Sequence, residues 1–375
     1  LVHVPNGRES VWKVRKLAGA QNLRRFAYAA FKGGITTRLL RATVSAQLDR
    51  QLSLIKPDIV NIHNLHGAAW HPELAEVCIA HAPTVWTLHD MWSFTGRCAY
   101  SFECRKFESG CDSTCPTPHE YPSLPPSRIA AAWTERRQLF EMRRELCAVT
   151  PSRWLKQEAT RGLWKGHRVE VIPYGLPLDV FHIEDRAVAR ARFRIRGDRP
   201  VLLMVAADLT ERRKGGAVLL EALAHLNRPV TLLTIGIGEL PASVGSTQVH
   251  ALGHISNEHD VAWAYNAADL LVHPAPVDNL PNVILESIAC GTPAVGFAVG
   301  GVPEIVRAGV TGWLADAVTP RALAEAIGLA LDDLAKGVDL RAGCRRVAEL
   351  EYALDLQATR YTSLFTSLHD TARDD

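Results

Sequence analysis

No apolar run in the chain approaches the roughly 18 residues that a membrane-spanning helix requires, so no such helix is legible. A strong charge of either sign is also missing. The 42 Lys and Arg stand against 40 Asp and Glu, a formal balance of +2 that is too small to demand nucleic acid as a partner. Cysteine is sparse, at eight in 375 residues, and four of the eight crowd into residues 98–115, unlike an extracellular disulfide framework. That usage predicts a reducing cytoplasmic compartment. The sequence opens on Leu1 without Met or a charged-then-apolar leader, which predicts a truncated start. With 47% apolar and 22% charged residues, 26 Gly and 21 Pro, the composition excludes disordered and collagen-like chains, and the length suits about two domains.

The near-zero balance hides one local excess. Residues 1–50 hold ten cations, among them Lys13, Arg15, Lys16, Arg24, Arg25, Lys32 and Arg38, against only Glu9 and Asp49. Trp12, Phe26, Tyr28 and Phe31 lie among them, a mixture that suits an anionic membrane surface through charge plus aromatic insertion. A solvated amphipathic helix is the other reading.

From Pro57 onward, short apolar runs alternate with amphipathic stretches, the rhythm of βαβ units and a parallel sheet. Strands are expected at residues 58–63, 84–88, 148–150 and 169–172, then at 201–205, 230–235, 270–273 and 293–296. The Arg-rich stretch 181–200 between the two sets predicts a domain boundary. The expected division is 1–180, 181–348 and a terminal helix in 349–375. Ligands of open α/β sheets sit beyond the carboxyl ends of the strands, so the residues directly after each strand are the ones to inspect.

The most informative run is Ala267-Ala268-Asp269-Leu270-Leu271-Val272-His273-Pro274, followed by Asp278-Asn279-Leu280-Pro281-Asn282, then Glu286 and Cys290-Gly291. Asp278 and Glu286 stand eight apart. A helix starting near Pro281 places the first acid in the preceding loop and the second in the early turns. Taken alone, the two could be an ordinary helix-start charge and a solvated helix face. The glycines Gly236 and Gly238 could simply close a turn, and Lys214 with Arg212 and Arg213 could form an exposed basic turn.

Together these stretches resemble glycosyltransferase family 4, whose acid-x7-acid motif carries Glu where this chain has Asp278. Lys214-Gly215, Gly236-Ile237-Gly238, Gly300-Gly301-Val302-Pro303-Glu304 and Gly309 to Gly312 follow in the family order. In the first half His63-Asn64, Leu88-His89-Asp90, Thr150-Pro151-Ser152 and Pro173-Tyr174-Gly175 also match. The stretch from His89 to Pro116, with its clustered cysteines, is similar to colanic-acid and exopolysaccharide-type members. The resemblance covers most of residues 57–330; the family's opening strand and Gly-rich turn have no counterpart in it.

The resemblance implies a GT-B fold, two Rossmann-like doubly wound α/β domains facing across a cleft. It also implies retaining transfer of a hexose from a nucleoside-diphosphate sugar to a glycan or lipid-linked acceptor, at the cytoplasmic face of the membrane and without a catalytic metal. The implied catalytic residues are His89, Lys214 and Asp278. The implied donor contacts are Arg212, Arg213, Gly236, Gly238, Asn279, Leu280, Pro281, Asn282 and Glu286. A sugar-nucleotide epimerase of similar shape and a non-catalytic sugar-nucleotide-binding subunit are the rival readings. Cys98, Cys104, Cys111 and Cys115 suit tetrahedral structural zinc in chemistry, but they lack paired C-x2-C spacing, so free thiols or a labile disulfide stay open.

Overall fold

A computed structural model describes residues 35–68, 70–142 and 146–374. The expected membrane-facing residues Trp12, Lys13, Arg15, Lys16, Arg24, Arg25, Phe26, Tyr28, Phe31 and Lys32 lie outside the described residues. No helix among the described residues is long and apolar enough to cross a membrane.

The chain forms two compact units. The first holds residues up to Thr150 together with Lys156–Glu170 and Leu364–Asp375, and the second holds Pro151–Leu155 and Val171–Ser363. Residues 171–180, expected in the first domain, group with the second instead, because Leu176 and Phe181 are buried in that unit's core.

The first unit is built on four strands in the order β1 (Val60–Ile62), β2 (Thr84–Thr87), β3 (Cys147–Thr150) and β4 (Val169–Val171). β1 and β2 run parallel, as do β2 and β3, with Val85 beside Cys147. Every residue of β2 and β3 is buried, the mark of a parallel sheet covered on both faces. Aromatic rings fill one side of it. Phe140 and Trp164 meet edge to face at 4.6 Å, and the Trp164 indole donates to Ser93 Oγ at 3.1 Å, which satisfies its one polar atom.

The second unit has seven strands in the order β11-β10-β9-β5-β6-β8-β7. They are β5 (Val201–Asp208), β6 (Thr231–Ile237), β7 (Ser243–Val244), β8 (Thr247–Ala251), β9 (Leu270–His273), β10 (Ala294–Phe297) and β11 (Gly312–Ala315). The recorded pairings are parallel except β7 on β8. β5 is central and the chain winds outward from it in both directions, so a switch point falls between β5 and β9. β7, β8 and β11 lie outside the expected strands. β8 carries Gln248 and His250 near the sheet edge, and the four residues of β11 leave no periodicity to read.

Helix boundaries follow local capping. Asn257 Oδ1 accepts from His259 N at 2.9 Å to start the helix Glu258–Ala267, whose first turn carries Glu258 and Asp260. The expected terminal helix is present as Leu354–Asp374 and starts a few residues later than 349, after a separate helix. Arg341–Glu351 and Leu354–Asp374 are separate helices, because Leu176 N donates to Tyr352 O at 2.8 Å and accepts at its carbonyl from Leu354 N at 3.1 Å. Those bonds replace the helical ladder at the break.

Candidate functional site

Three strand ends of the second unit converge on the switch point. At the end of β5, Asp208 Oδ1 accepts from Thr210 N and Oγ1 at 2.8 and 2.6 Å, and this turn leads into a tight turn at Arg212–Lys214. Gly215 then takes φ +75°, and a Cβ there would lie 2.0 Å from the Pro274 carbonyl oxygen, so only glycine fits. Arg212 is exposed, whereas Arg213 and Lys214 are half-buried. At the end of β6, Gly236 and Gly238 form the glycine turn, and Gly236 is packed on the backbone of Ala206.

Beyond β9 the chain reaches Asp278, only 7% exposed. Lys214 Nζ lies 3.4 Å from Asp278 Oδ2, and His273 Nε2 lies 3.5 Å from the same oxygen. Burial opposes the charge on Asp278, but His273, Lys214 and Arg213 outweigh it and hold the carboxyl well below its usual range. Asp278 is therefore a carboxylate at neutral pH.

The loop that follows is almost wholly buried. Asn279, Leu280 and Pro281 are inside, and Asn282 is exposed at the start of the helix Asn282–Ala289. Asn279 N donates to Asp278 Oδ1 at 3.0 Å, and Ser152 Oγ donates to Asn279 Oδ1. Gly300, at φ +58°, backs this loop so closely that a Cβ would sit 1.8 Å from the Asp278 carbonyl oxygen. Glu304 accepts from the amides of Arg153 and Trp154 at 3.0 and 2.9 Å, which caps the helix Arg153–Arg161.

Glu286 follows one helical turn inside. Its Oε2 accepts from the Tyr265 hydroxyl at 2.7 Å. Burial raises the Glu286 pKa, and the Tyr265 hydrogen bond works against that rise.

The first unit has its own polar cluster after β2. His63 Nδ1 and His89 Nε2 are 3.0 Å apart with their rings stacked, while His66 Nε2 lies 3.1 Å from Asp90 Oδ2. These residues line a small open recess with Asn64, Trp86 and Trp92. Although part of its ring meets solvent, dense packing around His63 and the neighbouring His89 push its pKa down to about 4. Burial lowers His89 too, against the pull of Asp90. Both imidazoles are neutral at physiological pH, so the pair shares one hydrogen bond without charge repulsion.

A sequence profile of the glycosyl transferases of group 1 matches residues 199–333, and one of glycosyltransferase family 4 matches residues 14–180. The chain belongs to these glycosyltransferases. The family member is 29% identical over 228 residues to the putative colanic acid biosynthesis glycosyl transferase WcaC of Escherichia coli (strain K12), across 60% of this chain and 54% of the relative. It is 34% identical over 194 residues to a D-inositol 3-phosphate glycosyltransferase of Xylanimonas cellulosilytica, across 48% and 46% of the two chains. The chain thus spans about half the length of these curated relatives. Among solved structures it resembles a sucrose-phosphate synthase from Thermosynechococcus elongatus, with TM-score 0.69, 20% identity and coverage of 88% and 79%. It also resembles HepE of Anabaena in complex with UDP-glucose, with TM-score 0.61, 19% identity and coverage of 88% and 82%. The fold class is GT-B.

The second unit gathers Lys214, Arg213, Asp278, Asn279 and the glycines Gly236, Gly238 and Gly300 at adjacent strand ends, while Arg212 is exposed. Two partners escaped sequence reasoning. Nothing in the pattern distinguishes His273 from an ordinary strand-end histidine, or Tyr265 from a core aromatic. Among the described residues, no group of three or more His, Cys, Asp or Glu is placed to hold a metal ion. Burial pushes the Cys111 thiol up to about 12 and raises Cys98 as well. Cys98, Cys104, Cys111 and Cys115 are free thiols, Cys98 buried and the other three half-buried.

Proposed function

We propose that this glycosyltransferase moves a hexose from a nucleoside-diphosphate sugar, with retention, onto a glycan or lipid-linked acceptor at the cytoplasmic face of the membrane. The observation that carries the reading is the Lys214–Asp278 pair, 3.4 Å apart at the ends of adjacent strands β5 and β9. A diphosphate needs cations and a sugar ring needs acceptors for its hydroxyls, and here the two kinds of group stand side by side. At about 4 Å and an effective dielectric near 20, one cation contributes on the order of 4 kcal/mol of interaction with a phosphate charge. Lys214, with Arg213 beside it, neutralises the charge that builds on the departing diphosphate. Asp278 accepts from the sugar hydroxyls and Glu286 from the ribose. His89, neutral and backed by His63, orients the reacting sugar by hydrogen bonding. The solved structure of HepE with UDP-glucose, on the same fold, supports a nucleotide-sugar donor.

The test is a panel of UDP-, GDP- and ADP-sugars with candidate acceptors, read by nucleoside-diphosphate release and by the anomeric configuration of the product. A retained anomer is expected. An inverted product overturns the mechanism, and sugar interconversion without acceptor identifies an epimerase. In the same assay Glu286→Ala should weaken donor binding by about 1.5–3 kcal/mol, the size of hydrogen bonds to a charged group. Donor affinity unchanged in a calorimetric titration removes Glu286 from the donor site. With Lys214 and Arg213 supplying positive charge, activity should survive EDTA. Rapid loss restored by magnesium or manganese contradicts the assignment.

A further inference from the structure

We propose that Tyr265 is a positioning residue that holds the Glu286 carboxylate so that its second oxygen faces the ribose of the donor. The inference rests on the reading of Glu286 as the ribose acceptor. An ionised carboxylate only accepts, so the Tyr265 hydroxyl is the donor of the 2.7 Å bond to Oε2. Glu286 Oε1 makes no protein hydrogen bond recorded among the described residues, which leaves it to a ligand.

The tyrosine is held along its whole length. Its side chain is fully buried, its ring lies edge-on to Phe181, and its carbonyl accepts from Ala268 N at 3.1 Å and from Thr292 Oγ1 at 2.8 Å. Thr292 is tied in turn to the helix that bears the acid, because Thr292 N donates to Ser287 O at 2.9 Å and Ser287 Oγ donates to Thr292 O at 2.8 Å. Ser287 is the next residue after Glu286. The path Tyr265–Glu286–Ser287–Thr292–Tyr265 is therefore a closed ring of covalent and hydrogen bonds. It fixes the carboxylate relative to the helix Glu258–Ala267 as well as its own. The groups that act on the Glu286 charge are Tyr265, which stabilises it, and Glu258 on the facing helix, which opposes it; the buried Cys290 thiol lies near and stays neutral.

The test uses the full chain and calorimetric titration with UDP, GDP and ADP, continuing with whichever binds tightest and with its 2′,3′-dideoxy counterpart. Tyr265→Phe should weaken the ribonucleotide by about tenfold, as expected for a lost bond to a charged group. It should leave affinity for the dideoxy nucleotide within about twofold, which also shows that the variant is folded. The acid limb of nucleotide binding should move to higher pH, because the carboxylate loses its stabilising donor. Equal weakening of both nucleotides, or no weakening of either, overturns the proposal. If Tyr265→Phe unfolds, the double variant Tyr265→Phe/Glu286→Gln places a neutral amide beside the phenyl ring. Its ribonucleotide affinity should match that of Glu286→Gln alone, and a further loss specific to neither nucleotide counts against positioning. Failure of the underlying reading looks different: the wild type binds none of the nucleotides, or Glu286→Ala binds the ribonucleotide as tightly as the wild type does.

Discussion

Lys214→Ala should lower kcat by about 10²- to 10³-fold, the usual cost of removing one group that stabilises charge developing in a transition state. Donor affinity should fall much less. Before reaction Lys214 is already paired with Asp278 at 3.4 Å, so part of its attraction is spent within the protein, and the diphosphate gains charge only as the sugar leaves. Steady-state kinetics with varied donor separate the two effects. Equal loss in kcat/KM and in binding, with kcat unchanged, shows that Lys214 only grips the ground state.

Gly300→Ala should abolish most donor-dependent activity, by about 100-fold or more, without replacing any side chain that meets the substrate. The new Cβ would have to share space with the Asp278 carbonyl oxygen, 1.8 Å away, at a backbone φ of +58° that costs a non-glycine residue about 1–2 kcal/mol. The loop that carries Asp278 must shift to admit it, and a displacement of about 1 Å can cost about 10²-fold in rate. Gly337→Ala is the matched control. It sits at φ +89° with open space around it, so it bears the conformational cost without the collision. A donor-saturated assay beside a thermal melt distinguishes the two, since both variants lose stability and only Gly300→Ala should lose activity. Normal turnover in Gly300→Ala shows that the Asp278 loop tolerates displacement.

What could be read from the residues in order was the local part of the site. The eight-residue interval between Asp278 and Glu286 straddles the helix start at Asn282, and the strand ends after β2, β5, β6 and β9 are marked by apolar runs that stop at polar residues. Most expected strands differ from those observed by only a few residues at the ends. What escaped was contact between distant positions. Tyr265 lies 21 residues before Glu286, and His63 lies 26 before His89, so no periodicity links either pair. His273 and Asp278 are near in sequence, yet their meeting depends on how the loop after β9 folds back. The helix break at Tyr352 was hidden for the same reason, because it is imposed by Leu176 from far upstream and not by a local breaker.

The glycines at the strand ends have a consequence for the entropy of ligand capture. Gly215 lies against Pro274, Gly236 against Ala206 and Gly300 against Asp278, each with main chain against main chain and no side chain between. Contacts of that kind have no rotamers to rearrange, so the loops after β5 and β9 and the turn after β10 are mutually wedged, and the end of β6 is held against β5. Their ordering cost falls on folding of the unit, and little of it remains to oppose association with a ligand. On the proposed reading of Lys214, Asp278 and Glu286 as donor contacts, such preorganised backbone would select by shape, because it cannot relax around a sugar or base that does not match their spacing.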